Sequence, residues 1–293
     1  MSEDMKENAL FFGLENNWYY VSTAQSLFDL QLHAREIDYL IPFWFGVTEQ
    51  GTLVDQSQFE AIQIARRSNL GILAIIHNFS DPQMGELIHE LLTNPNLRQR
   101  LIDSIEAMLE SYRFAGVNID FEFVPPADRA ALNSFMEGLY RRLSPRFRVT
   151  ISVPAKLSDD PDHPFSGAFD YRTLARFSDQ LYILAYDEHF SVPGPIASIE
   201  FVRNVLEYAK TVIPPHKIKL GMAVYGYDWE VSQGMPRSLT YREAIELAQK
   251  HNATIVYDET AQEPTFTYTA NGKRHIVWFE DVRSFSAKLD LVF

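Results

Sequence analysis

Three polar residues stand at alternate positions in an otherwise apolar run, "GVNIDFEFV" at 116–124: Asn118, Asp120 and Glu122. A period of two puts them on one face of a β-strand, with Val117, Ile119, Phe121 and Phe123 on the other. Same-face neighbours lie about 6.6 Å apart along a strand. Two carboxylates that close repel, so one is expected to hold its proton to a higher pH than a free carboxyl does. A carboxylic acid still protonated near neutral pH is what general-acid chemistry uses. The competing reading is a buried ion-pair layer. No Lys or Arg lies in the strand itself, so cations for such a layer would have to come from elsewhere in the chain.

The chain has 293 residues, enough for one large α/β barrel or two ordinary domains. Apolar runs at 9–14, 37–47, 70–79, 116–124, 148–155, 181–189 and 218–229 read as strands, with amphipathic stretches between them. In 125–143, Leu132, Phe135, Met136, Leu139, Tyr140 and Leu143 share one helical face, and Pro125 and Pro126 precede the helix where a missing N–H costs little. Repeated β-then-α units imply a parallel sheet. A doubly wound sheet is one way to build it, but no glycine-rich phosphate loop follows the first strand. A (β/α)8 TIM barrel fits the size and regularity better. Barrel strands turn one face to the helices and the other to the interior. Asn118, Asp120 and Glu122 then point inward, with Glu122 nearest the C-terminal rim where barrel active sites lie.

The segment 230–279 breaks the rhythm. It reads as a helix over 238–252, strands at 253–258, 264–269 and 274–279, and a hairpin turn at Asn271–Gly272. A small α+β insertion after strand seven is expected, with 1–229 and 280–293 forming the barrel domain. A last helix begins near Glu280 and no eighth strand precedes Phe293, so the barrel is expected to be truncated.

A formal charge of −13 argues against a nucleic-acid partner, because phosphate binding needs a basic footprint. No apolar run reaches 18 residues, so no membrane span is expected. The absence of cysteine excludes disulfides, thiolate metal sites and cysteine nucleophiles. The histidines show neither H-x-x-x-H nor H-E-x-x-H, and neither a metal nor a cofactor is expected. The start, "MSEDMKENAL", has no secretory apolar core.

At Asn118–Glu122 the chain resembles glycoside hydrolase family 18, the chitinase family, whose fourth strand carries D-x-x-D-x-D-x-E or its core D-x-D-x-E; here the core is N-x-D-x-E. "LAYDEH" resembles the sixth-strand M-x-Y-D element, and "GMAVYGYDW" the seventh-strand stretch ending in Y-G-Y-D-W. "VWFEDVRSFSAKL" resembles the run into the penultimate barrel helix. Four such motifs in order span nearly the whole chain. Two branches of the family come nearest: spore-cortex and germination hydrolases, and the hydrolase-like domain joined to polysaccharide deacetylase and glycosyltransferase domains. "AYDEHFSVPGPIAS" and "PTFTYT" tilt towards the second. The resemblance implies an extracellular or cell-wall-facing location.

It also implies a retaining glycosidase in which the substrate's own 2-acetamido oxygen, not an enzyme carboxylate, attacks the anomeric carbon. Glu122 would protonate the leaving oxygen and later activate water. Asp120, charged, would hold the acetamido N–H. Tyr186 would donate to the acetamido carbonyl, and Asp187 would contact sugar hydroxyls. Asn118 departs from the usual aspartate: it can hydrogen-bond Asp120 but cannot take its proton. Trp44, Asn78, Tyr225, Trp229 and His189 are further substrate-binding candidates, and Trp278 reads as a packing residue of the insertion. The expected function is hydrolysis of β-1,4-linked N-acetylhexosamine glycans, whether peptidoglycan, chitin-like or exopolysaccharide. A non-catalytic, lectin-like glycan-binding domain is the alternative. A third reading, a two-carboxylate glycosidase, would need Asp228 or Glu230 about 5 Å from Glu122.

Overall fold

The computed structural model describes residues 15–79 and 83–292; the strand expected at 9–14 lies outside them. The chain resolves into two compact units. One comprises residues up to Val153, Asp159–Tyr182 and Ile213–Ile218. The other comprises Pro154–Ser158, Ile183–Val212 and the chain from Lys219 on.

The first unit is built on a parallel sheet. In chain order its strands are β1 (Asn17–Tyr20), β2 (Tyr39–Pro42), β3 (Phe45–Val47), β4 (Leu53–Asp55), β5 (Gly71–His77), β6 (Gly116–Asp120) and β7 (Arg148–Pro154). Two further strands, β8 (Gln180–Leu184) and β9 (Ile218–Gly221), begin in this unit and run on into the other. The sheet order is β1-β2-β5-β6-β7-β8-β9. Along this path each strand lies beside its predecessor and the order never doubles back. A doubly wound sheet would reverse at a switch point. The run expected as one strand at 37–47 is divided after Pro42. There Phe43 N–H donates to Tyr20 O, and β3 then forms a hairpin with β4 as well as pairing β5.

Helices α1 (Ala24–His33), α2 (Phe59–Arg67), α3 (Met84–Thr93), α4 (Pro95–Tyr112), α5 (Arg129–Leu143) and α6 (Tyr171–Leu174) fill the crossovers. The expected amphipathic helix is α5, which buries Leu132, Phe135, Met136, Leu139 and Leu143. Phe135 packs against Phe121 with ring centroids 5.6 Å apart, which places Phe121 on the helix side. The opposite face of the sheet carries Ile41, Leu73, Ile75 and Tyr182 as one apolar cluster.

The second unit holds α7 (Ile199–Val212) and an antiparallel sheet ordered β11-β10-β14-β13-β12. Its strands are β10 (Tyr225–Glu230), β11 (Arg237–Thr240), β12 (Val256–Asp258), β13 (Glu263–Ala270) and β14 (Lys273–Phe279), with α8 (Tyr241–Lys250) and α9 (Val282–Leu289). The run read as a single strand at 218–229 is two: β9 stays in the parallel sheet, while β10 is the middle partner of β11 and β14. Asn271 and Gly272, both at positive φ, make the tight turn between β13 and β14. Thr240 and Glu243 form a capping box on α8. Among the described residues no helix is long and apolar enough to cross a membrane.

Candidate active site

The register of the parallel sheet sets the first unit's functional face. Ile75 of β5 pairs Asn118, His77 pairs Asp120, and Asn118 in turn pairs Thr150 of β7. Ile75 belongs to the apolar cluster opposite the helices, so Asn118, Asp120 and His77 share that face. Asn118 is fully buried, and both ends of its amide are hydrogen-bonded. Its Nδ2 donates to Thr150 Oγ1 at 3.0 Å, and Thr150 Oγ1 in turn donates to Val117 O at 2.9 Å. Its Oδ1 accepts from Ser152 Oγ at 2.7 Å and from Tyr19 OH at 3.4 Å. An aspartate there would lose the bond to Thr150 and place another buried charge beside Asp120.

Asp120 is buried. Burial first, and the charge on Glu122 second, push its carboxyl up to about 7, while a hydrogen bond from Ser152 pulls the other way. The sequence leads one to expect an Asp120 that stays charged in the reaction; in the unliganded chain its depth, greater than that of half-buried Glu122, favours the protonated form because it loses more hydration.

Strand β6 stops at Asp120, so Glu122 is not part of the ladder. The side chain of Asn78 takes over the strand's role. Its Oδ1 accepts from Glu122 N at 2.9 Å, and its Nδ2 donates to Glu122 O at 2.8 Å and Met84 O at 3.1 Å. A buried amide thus mimics a neighbouring strand and fixes the backbone of the acid. Asn78, expected to touch a ligand, instead holds Glu122 in place. Phe123 follows at φ 54° with its ring 47% exposed, against the expectation that it faces the helices. The left-handed turn reverses the face that strict alternation would assign.

Trp44 is a correction. It is fully buried, donates from Nε1 to Ser22 Oγ, and packs edge-on against Tyr20, so neither ring face is open to a sugar.

The second unit carries the remaining candidates. Just past the end of β8, Tyr186 is half-buried and Asp187 is exposed at φ 55°. Asp187 Oδ1 accepts from Tyr225 OH at 2.6 Å and from Tyr227 OH at 2.9 Å. Burial, reinforced by Asp187, holds both phenols above their ordinary range, so they remain donors at working pH. The Tyr186 ring meets Tyr225 edge-on at 6.1 Å. Tyr227 escaped the sequence reading, although it shares a period-two face with Tyr225 in "YGYDW".

Trp229 is a second correction. It is fully buried, donates to Phe190 O at 2.7 Å and packs on Tyr227. His189 is turned to its own loop, with Nδ1 3.0 Å from Pro195 O. Asp228 is committed to Tyr268 and His275, and Glu230 to Lys273 and Ser232, so neither reads as a second catalytic acid. Trp278 lies on β14 opposite Tyr227 and packs with Tyr227 and Trp229, as a packing residue should.

The family model described as "Glycosyl hydrolases family 18" matches residues 16–293. The chain belongs to that family. It is therefore a member of a group of glycosidases, enzymes that hydrolyse glycan linkages. The cortical fragment-lytic enzyme of Bacillus subtilis (strain 168) is 34% identical over 295 residues, covering 95% of this chain and 68% of that protein. The spore cortex-lytic enzyme SleL of Bacillus cereus has a crystal structure that superposes with a TM-score of 0.87 at 30% identity, over 94% of this chain and 67% of that one. A chitinase from Chromobacterium violaceum superposes at 0.88 with 28% identity, over 95% and 90% of the two chains. The chain spans only 61% of a Bacillus subtilis sporulation-specific glycosylase, YdhD, to which it is 34% identical, and 62% of the Bacillus anthracis cortical fragment-lytic enzyme. These Bacillus relatives fall on the spore-hydrolase side of the two nearest branches, against the tilt of "AYDEHFSVPGPIAS".

Proposed function

We propose that this chain hydrolyses β-1,4-linked N-acetylhexosamine glycans of the peptidoglycan-cortex kind, with Glu122 as general acid and then general base. The supporting observation is the carboxyl pair at the C-terminal end of β6: a buried Asp120, raised to about 7 in part by the charge on half-buried Glu122. Burial first and the neighbouring charge second favour a proton on Asp120 up to near neutral pH. An acetamido N–H donated to Asp120 favours its charged form, and the proton is then available at Glu122 beside the leaving oxygen. Substrate binding thereby sets the protonation pattern that the reaction needs.

The acetamido oxygen attacks the anomeric carbon as the C–O bond to the leaving sugar breaks and Glu122 protonates the departing oxygen. Water, deprotonated by Glu122, then opens the oxazolinium ion with net retention. Tyr186 serves the acetamido carbonyl and Asp187, held by two phenols, the sugar hydroxyls. Asn118 holds the floor beneath Asp120 as a neutral clamp.

The test compares wild type and Glu122→Gln on matched N-acetylated and de-N-acetylated oligosaccharides. Cleavage confined to the acetylated series is expected, with turnover falling by a factor on the order of 10²–10⁴ in the variant. Equal cleavage of both series would overturn acetamido participation, and glycan binding without turnover by wild type would overturn hydrolysis.

A further inference from the structure

At the end of β5, beside Asp120 in register, stands a histidine with no assigned part in the chemistry. His77 is 4% exposed. Its Nδ1 accepts the backbone N–H of Phe79 at 3.3 Å, which puts the ring proton on Nε2. That Nε2 is fully buried and has no hydrogen-bond partner among the described residues. The ring is packed between aromatic neighbours. Phe43 stacks on it with centroids 4.1 Å apart and planes at 14°, and Phe79 leans on it at 6.0 Å.

A buried N–H without an acceptor is costly, and a packing role does not require one. Between two phenylalanines, a third aromatic or aliphatic side chain would fill the space without that cost. A donor kept in this state calls for an explanation, whether strain, a catalytic role or something that it binds. The placement is also specific: His77 is the register partner of Asp120 and lies on the same sheet face, next to the carboxyl beside which a sugar would be held.

We propose that His77 is a substrate-binding residue of this site, donating from Nε2 to a hydroxyl or carbonyl oxygen of the glycan sugar held beside Asp120. This rests on the glycosidase reading above. Burial lowers the imidazole to about 4, so it stays a neutral donor across the working range and adds no charge to the carboxyl pair. A neutral ring with a locked tautomer selects an acceptor oxygen at that position. It discriminates against sugars in which that oxygen is missing.

The test is His77→Phe, which keeps the aromatic stack and removes the donor, beside His77→Gln, which keeps an N–H. Stability, oligosaccharide kinetics and oligosaccharide binding are read on each, with binding measured in the Glu122→Gln background. His77→Phe is expected to be as stable as wild type or more so, yet to lose tenfold or more in kcat/KM and a similar factor in affinity, with His77→Gln recovering part of both. Full kcat/KM in a folded His77→Phe protein overturns the assignment, as does a loss matched in size by His77→Gln. If His77→Phe does not fold, His77→Leu takes its place under the same criteria. An active wild type whose His77 variants behave identically overturns this inference alone. A wild type that neither cleaves nor binds the oligosaccharides overturns the glycosidase reading with it.

Discussion

Replacing Asp120 by Asn isolates the electrostatic cost stored in the site. In the unfolded chain the carboxyl titrates near its ordinary 3.8; in the fold, burial and Glu122 raise it to about 7. The folded state therefore binds more protons than the unfolded state between roughly pH 4 and 7. The sign follows: this residue's contribution is most favourable below about pH 4 and is lost progressively as pH rises towards 7. The full difference corresponds to about 4 kcal/mol. Asn keeps the volume, can still accept from Ser152 and cannot ionise. The stability of Asp120→Asn relative to wild type should therefore grow by about 2–3 kcal/mol between pH 5 and pH 8. Urea unfolding of both proteins at fixed salt reads this directly, because every other titrating group is common to the two and largely cancels. Turnover should fall sharply in the same variant, so stability and function move in opposite directions at one residue. A stability gap that stays constant from pH 5 to pH 8 would refute the reasoning.

Two further predictions follow from the hydrogen-bond and ion-pair networks. Asn78→Ala strands the Glu122 N–H and two carbonyl oxygens in a buried setting, so unfolding free energy should fall by about 2–4 kcal/mol, with kcat falling more than KM changes. In the second unit, Lys288 is buried between Glu263, which also accepts from Ile196 N and Ala197 N, and Glu280, which burial and Glu263 raise to about 7. Lys288→Met leaves two carboxyls buried together and should cost about 3–5 kcal/mol at pH 8. The cost should be smaller at pH 5, where Glu280 can remain protonated; denaturant melts at the two pH values check this.

The carboxyl pair was legible in the sequence because alternation reports which face a side chain takes, and Asn118 and Asp120 obey it. Alternation does not report where pairing stops. Strand β6 ends at Asp120, and the left-handed Phe123 then turns its ring outward, where a continued strand would have buried it. The same blindness merged β9 with β10, whose partners belong to different sheets. Trp44 and Trp229 looked like cleft residues because an aromatic near a strand end reads the same whether it packs in the core or on a rim. Only tertiary burial separates the two cases. Ser152, Thr150 and Tyr19, which hold Asn118, lie more than thirty residues from it, and nothing local marks them. The polar side chain of Asn78 at a strand end reads as a ligand contact, and nothing local signals its use as a surrogate strand.

The most direct test of a proton held on Asp120 is a carbon-detected NMR titration of its carboxyl in wild type and Glu122→Gln. A midpoint near 7 in wild type, displaced downward once the neighbouring charge is removed yet still above 3.8 because the carboxyl remains buried, is the expected result. An ordinary carboxylate midpoint in wild type, or one that Glu122→Gln leaves unmoved, would contradict it.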